Sequence, residues 1–547
     1  MRRVTQRRFV AVLGSLAILL VAVTPADAAM TSGDDRRGGG HSKLGHPRID
    51  SDVLVLAAKV ADGTVSASAV NAGRVVADSV VVLVHAAGST GDASGAIRAV
   101  GGRELARVDG LLRAAVPASR IRSLADAPSV ARVTLPRRAR PAPVSALFHE
   151  ETTSEGVAAS SANAWIAAGY TGKGVKIGIV DLGFEDYDAG IAAGELPTPA
   201  ARQDYCDGEF DGDWHGTAAA EIVHEMAPDA ELHLLCVWDE LDLVKAAAYA
   251  KTKKLNIVTM SVTWPATSRG DGKGVKNTPE WVVADAKKAG ILWVQSAGQS
   301  AGAHWRGTFV SKDKDVWHEF ATGDETLDIT IDSGEELCVW MKWDSWPKSK
   351  FDYDIELTPY EDTDTVLAYS DNTQSGTQTP QESFCWTNEG ATDDFALFIE
   401  LYQARATKHP VIDLWLSVDI IRAVSAGSVE EPATSASAFS VGTMCYQGKA
   451  IAAYSSRGPT IDKRVKPDIT GYDSVTTGST SRASACLNGY QGAGAATPHV
   501  AGAAALVKQK FPTYKADQIQ SFLQTSATDL GTKGKDSTYG FGKLRLP

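Results

Sequence analysis

Cysteine is scarce in this chain, with six among 547 residues. At that density disulfides can staple a fold but cannot be its scaffold. Basic residues are in deficit as well: 54 Lys and Arg stand against 66 Asp and Glu, for a net charge of −12. That balance argues against a nucleic-acid partner, which would need a basic face to displace phosphate counterions. Histidines with the His-Glu-x-x-His spacing of a zinc site are missing, so no catalytic metal or other cofactor is assigned. Beyond the first thirty residues no stretch is apolar and long enough to span a bilayer, which leaves no membrane contact for the mature form. Apolar residues are plentiful, at 44% against 22% charged, the balance of a globular protein. At roughly 150 residues per domain, the length leaves room for about three or four domains.

Arg2, Arg3, Arg7 and Arg8 precede an apolar run over residues 9–23, and Ala26-Asp27-Ala28 supplies the small-x-small pattern of a signal peptidase site. A run of about 15 residues falls short of the 18 or more that an anchor needs. Residues 1–28 therefore read as a signal peptide, and the protein as secreted and extracellular. Export puts the cysteines in an oxidising setting. Their even count and order suggest Cys206–Cys236, Cys338–Cys385 and Cys445–Cys486, one of about 15 pairings that six cysteines allow.

Residues 29–49 are Gly, Ser, Asp, Arg and His with almost no large apolar side chain, a flexible leader by composition. Residues 50–135 carry a strand at Val80-Val81-Val82-Leu83-Val84, a helix near 95–100, a strand over 110–116, a helix over 119–124 and a strand over 130–135, which makes a small α+β unit. The linker, 136–159, opens with Pro136-Arg137-Arg138-Ala139-Arg140-Pro141-Ala142-Pro143, exposed by composition and a dibasic candidate for processing. From Gly169 onward, strands at 175–180, 231–236, 256–262 and 292–296 alternate with helices from 216, over 242–252 and over 278–289. Such alternation means βαβ units and a parallel sheet, an α/β domain. It stops near Arg306. Residues 308–424 show short alternating strands and six of the thirteen tryptophans (Trp317, Trp340, Trp343, Trp346, Trp386, Trp415), a β-rich insert. The α/β pattern returns over 425–547.

Four segments of this α/β region carry chemistry. The strand of 175–180 ends in Asp181, where parallel sheets place catalytic groups. Trp214-His215-Gly216-Thr217-Ala218 sets a histidine at a helix start, and Ser296-Ala297-Gly298-Gln299 closes another strand. Gly492-Ala493-Gly494-Ala495-Ala496-Thr497-Pro498-His499-Val500-Ala501-Gly502 enters an Ala-rich helix. In this order, with Tyr454-Ser455-Ser456-Arg457-Gly458-Pro459 and Lys466-Pro467-Asp468-Ile469, they resemble the subtilisin-like serine peptidases, or subtilases, over residues 160–307 and 425–547. The resemblance implies a subtilisin-like parallel-sheet three-layer domain, an N-terminal prodomain-like unit over 50–135 and an inserted β-sandwich-like domain over 308–424. By the same resemblance Asp181 orients His215, and His215 serves as general base for a serine. His224, His304 and His499 read as packing or surface residues.

Three departures fall in the cleft. The nucleophile serine of the family lands on Gly494, and neither Thr497, a helical turn later, nor Ser484 is placed to replace it. The asparagine that completes the oxyanion hole is Gln299, one methylene longer. The segment Ser261-Val262-Thr263, which with Ser296, Ala297 and Gly298 would line the substrate cleft, carries Thr263 where the family usually has glycine. In subtilisin itself, removing the serine costs about 10⁶-fold in turnover. The sequence thus points to a pseudopeptidase that binds peptide or protein segments by β-augmentation along the cleft. Two other readings stand beside it: an active secreted serine endopeptidase with its nucleophile elsewhere, and an extracellular binding protein acting through the Trp-rich insert. In the insert, the acids of Asp352-Tyr353-Asp354 make a structural Ca²⁺ conceivable, against ordinary surface acids.

Overall fold

A computed structural model describes Lys43 and residues 45–66, 69–70, 73–139, 152–404, 407–480, 486 and 488–547. The expected signal peptide, most of the leader, residues 140–151 of the linker and Ser484 lie outside the described residues.

Seven parallel strands form the central sheet, in the order Ile469–Asp473, Ala438–Cys445, Leu292–Ser296, Ile257–Met260, Lys176–Asp181, Glu231–Cys236, Ala201–Asp204. Successive side chains of a strand point to opposite faces, and both faces here are covered. Ile177, Ile179, Leu292 and Val294 pack on one side with Ile222, Val223, Val500 and Leu506 of the helices His215–Met226 and Ala493–Lys510. Val180, Val258, Met260 and Trp293 pack on the other with Leu243, Ala246, Val282 and Val283 of Glu240–Lys253 and Pro279–Lys288. The result is a three-layer α/β domain. Its edge strand Ala201–Asp204 and the helix Tyr187–Ala193 lack a strong apolar period and give no sequence signal.

The helix Ala493–Lys510 is buried from Ala493 to Val507. Small side chains allow this: a Cβ on Gly502 would collide with Met226 of the helix His215–Met226. That close crossing brings the N-terminus of each helix to the same end of the sheet.

Residues 51–135 build a five-stranded antiparallel sheet from Val75–Val76, Ser79–Ala86, Arg103–Val108, Leu111–Pro117 and Val130–Thr134. Val80, Val82 and Val84 face Val53 and Ile97 of the helices Ser51–Asp62 and Thr90–Ala99. On the opposite face Leu83 and Leu111 pack against Leu241 of the α/β domain. Being buried on both faces explains the unbroken apolar run at 80–84. Two elements here have no clear sequence signal. Ser51–Asp62 hides its helix behind Val53-Leu54-Val55, two of them β-branched, and Arg103–Val108 is an edge strand in which half the residues are charged.

Two antiparallel four-stranded sheets form the insert: His304–Thr308, Val411–Leu416, Glu336–Trp343, Gln381–Thr387, and Leu327–Ile331, Asp393–Ala404, Phe351–Pro359, Ala368–Ser370. One apolar cluster, including Val339, Trp343, Tyr353, Ile355, Leu397 and Leu414, fills the space between them. This is a β-sandwich. Its tryptophans are spent on packing, with Trp317, Trp340, Trp343 and Trp415 buried and Trp346 and Trp386 half-buried. The structure pairs Cys206 with Cys236, Cys338 with Cys385 and Cys445 with Cys486.

Two expectations need correction. Asp352 and Asp354 hold the ammonium of Lys43, at 2.7 and 2.6 Å, so a buried cation of the chain itself already occupies the place suggested for Ca²⁺. The start of the linker is sheltered: the Trp264 indole N–H donates to the Arg137 carbonyl at 3.0 Å, Ala139 is buried, and its N–H donates to the Trp238 carbonyl at 2.9 Å.

Candidate functional site

Asp181 ends the strand Lys176–Asp181, and His215 begins the helix His215–Met226. Asp181 Oδ1 lies 2.7 Å from His215 Nδ1, with side chains 1% and 2% exposed. The Leu182 N–H also donates to that oxygen at 2.8 Å, and the His215 N–H donates to Asp213 Oδ1 at 2.8 Å. Burial works against a charged imidazole, but the Asp181 charge and hydrogen bond, joined by Asp213, outweigh it and raise the His215 pKa. His215 Nε2, the atom that would face a nucleophile, is buried without a hydrogen-bond partner.

Gly494 is the second residue of the helix Ala493–Lys510. A Cβ built there would lie 2.5 Å from His215 Nε2 and collide with the Tyr490 hydroxyl. The fold therefore brings Asp181, His215 and Gly494 together, and a phenol fills the space beside them. Tyr490 is fully buried, its hydroxyl donates to the His215 carbonyl at 3.2 Å, and its ring meets the imidazole edge-on at 5.5 Å between centroids. Trp214 packs edge-on against the same ring at 5.6 Å. Burial pushes the Tyr490 phenol well up, with Asp181, Asp213 and Glu221 adding to the effect. Thr497 cannot stand in for a serine, since its hydroxyl donates to the Ala493 carbonyl at 2.8 Å inside the helix.

Beside the dyad is an open polar cleft lined by Ser261, Thr263, Ser296, Gly298, Gln299, Ser300 and Glu430. Ser261 faces the Gly494 carbonyl at 3.5 Å, and the Ser296 hydroxyl accepts from the Gly298 N–H at 3.0 Å. Thr263 and Ser300 donate to the Glu430 carboxylate at 2.5 and 2.6 Å. Gln299 turns its carboxamide over Gly492, whose Cβ position is 2.6 Å from Oε1. Val262 and Ala297 contribute backbone only: the Val262 carbonyl accepts from Gln295 at 2.9 Å, the Ala297 carbonyl from the Glu430 N–H at 3.1 Å, and both side chains are in the core. Sequence patterns do not single out Tyr490, Glu430 or Asp213. Tyr490 precedes the Gly492 motif by two residues, and Glu430 arrives from beyond the insert, so only the folded chain aligns them with the site.

Residues 418–542 match the Subtilase family. The solved structure of the CspB protease of Clostridium perfringens is similar with a TM-score of 0.52 over 72% of this chain and 97% of that chain, at 15% identity. The fold is subtilisin-like. Subtilisin Savinase of Lederbergia lenta is 43% identical over 117 residues, 21% of this chain and 39% of that protein. An extracellular serine protease of Serratia marcescens is 47% identical over 55 residues, 10% of this chain and 5% of that protein. The chain thus spans well under half the length of these relatives. Among the described residues no helix is long and apolar enough to cross a membrane.

Proposed function

We propose that this is a secreted pseudopeptidase, which holds peptide or protein segments in a subtilisin-like cleft without cleaving them. The observation that carries this reading is Gly494: the residue at the nucleophile's place beside His215 Nε2 carries no side chain to attack with, and Tyr490 fills the room one would need. Acyl transfer requires a nucleophile that hands its proton to the imidazole, and without it only background hydrolysis remains. Gln299, one methylene longer than the family's oxyanion asparagine, folds its carboxamide over Gly492. Binding is supported separately. Residues 137–139 of this chain already run between Trp238 and Trp264 as a guest segment, the Ala139 N–H donating to the Trp238 carbonyl and the Trp264 indole N–H to the Arg137 carbonyl. Residues 50–135 act in this reading as a prodomain-like unit that stays in place, because self-cleavage fails.

The retained Asp181–His215 contact favours the second reading, an active endopeptidase. A third reading, a binding protein acting through the insert, has less support, since four of its six tryptophans are buried in packing and the other two are half-buried. A fluorophosphonate probe on the purified full-length protein decides between the first two. No adduct is expected; covalent labelling of any serine would overturn the pseudopeptidase. N-terminal sequencing of the exported protein checks secretion, with a start near residue 29 expected.

A further inference from the structure

The Asp181–His215 pair is complete, yet its outer nitrogen is buried and has no hydrogen-bond partner. Tyr490 packs against both Trp214 and His215, is fully buried, and anchors its hydroxyl on the His215 main chain. A Cβ at 494 would be 2.5 Å from His215 Nε2 and 2.8 Å from Tyr490 Cζ, and nearer still to the phenolic oxygen. Packed side chains do not interpenetrate, so any residue larger than glycine at 494 must evict the phenol, the imidazole or both. The imidazole is held by Asp181, and the phenol by two rings and a hydrogen bond.

We propose that Tyr490 is an internal plug: it has taken over the nucleophile's volume, and together with Gly494 it turns Asp181 and His215 into a structural cluster that a serine at 494 cannot by itself reawaken. Tyr490 is a positioning residue here. It seals the imidazole from solvent and ties the segment before the helix Ala493–Lys510 to the start of the helix His215–Met226. The inference deepens the pseudopeptidase reading and rests on it, but concerns packing, and so can fail separately.

The test is a double-mutant cycle in the full-length protein with Gly494→Ser and Tyr490→Ala, read by thermal unfolding. Gly494→Ser alone is expected to lower the midpoint by several degrees or to prevent folding. In the Tyr490→Ala background the same serine should cost little. Equal costs in the two backgrounds would overturn the plug. A second measurement needs no change at 494: diethyl pyrocarbonate modification of His215, mapped by mass spectrometry, should run at least about tenfold faster in Tyr490→Ala than in the wild type. An unchanged rate would overturn the proposal as well. Fluorophosphonate labelling of the wild type would instead refute the pseudopeptidase reading, whatever the cycle shows.

Discussion

His215 and Asp181 sit 2.7 Å apart under almost complete burial, and at this scale their chemistry can be followed by pH. The His215 pKa is raised in the fold: burial opposes the proton, but Asp181 and then Asp213 retain it, with the uncharged Tyr490 ring on the remaining side. A group whose folded value exceeds its unfolded value of about 6.5 stabilises fully below that unfolded value, and the contribution disappears as pH rises through the folded one. The urea-midpoint advantage of the wild type over His215→Gln should therefore be greatest near pH 6 and shrink toward pH 9; a difference that stays flat across this range would refute the assignment. Asp181, His215 and Gly494 are legible in the sequence because each lies in a contiguous motif whose residue types have a chemical meaning. Tyr490 and Glu430 are not. A tyrosine outside a motif is ordinary core material, and a glutamate on the far side of an insert has no local cue to its neighbours.

Among elements, the strands of the central sheet announce themselves by short apolar runs, and the helices by their period. Edge strands and helices whose apolar residues are β-branched do not. The strand Leu111–Pro117 shows what the period conceals: Leu112, Ala114 and Val116 enter the core of the N-terminal unit, while Arg113, on the opposite face, enters the α/β domain. There it meets Asp239 at 2.9 Å, Asp242 at 3.1 Å and Asp207 at 2.9 Å, at the N-terminus of the helix Glu240–Lys253, which Asp239 caps through the Leu241 and Asp242 N–H groups. Arg113 is 4% exposed and Asp242 fully buried. Removing one partner of such a cluster strands the others in a medium that penalises lone charge, at about 3–5 kcal/mol. Arg113→Ala should lose stability of that order in chemical unfolding and expose the N-terminal sheet to limited proteolysis. An unchanged digestion pattern would show that the apolar contacts of Leu83 and Leu111 suffice to hold the units together.

For the molecule as a whole, the N-terminal unit touches both of its larger neighbours. Arg113 reaches the α/β domain. Towards the sandwich, Lys43 pairs with Asp352 and Asp354, Arg132 donates to the Thr379 hydroxyl at 2.6 Å, and the Ser51 N–H donates to the Asn372 side chain at 2.8 Å. The sandwich in turn is tied to the α/β domain by a buried Lys342–Glu431 pair and by Arg269–Asp344. None of these contacts follows from local sequence, because their partners stand far apart along the chain. If a protease site introduced between residues 140 and 151 is cut, the N-terminal unit should still co-elute with the rest in gel filtration. The combined change Lys43→Ala and Arg113→Ala should release it; co-elution of that doubly altered, nicked protein would rule out these ion pairs as the tether. The three disulfides add nothing to this cohesion, since two lie inside the α/β domain and one inside the sandwich. The assembly of the units is thus blind to redox state: a reductant can soften each from within, but separating the units means giving up the buried charges and apolar contacts between them.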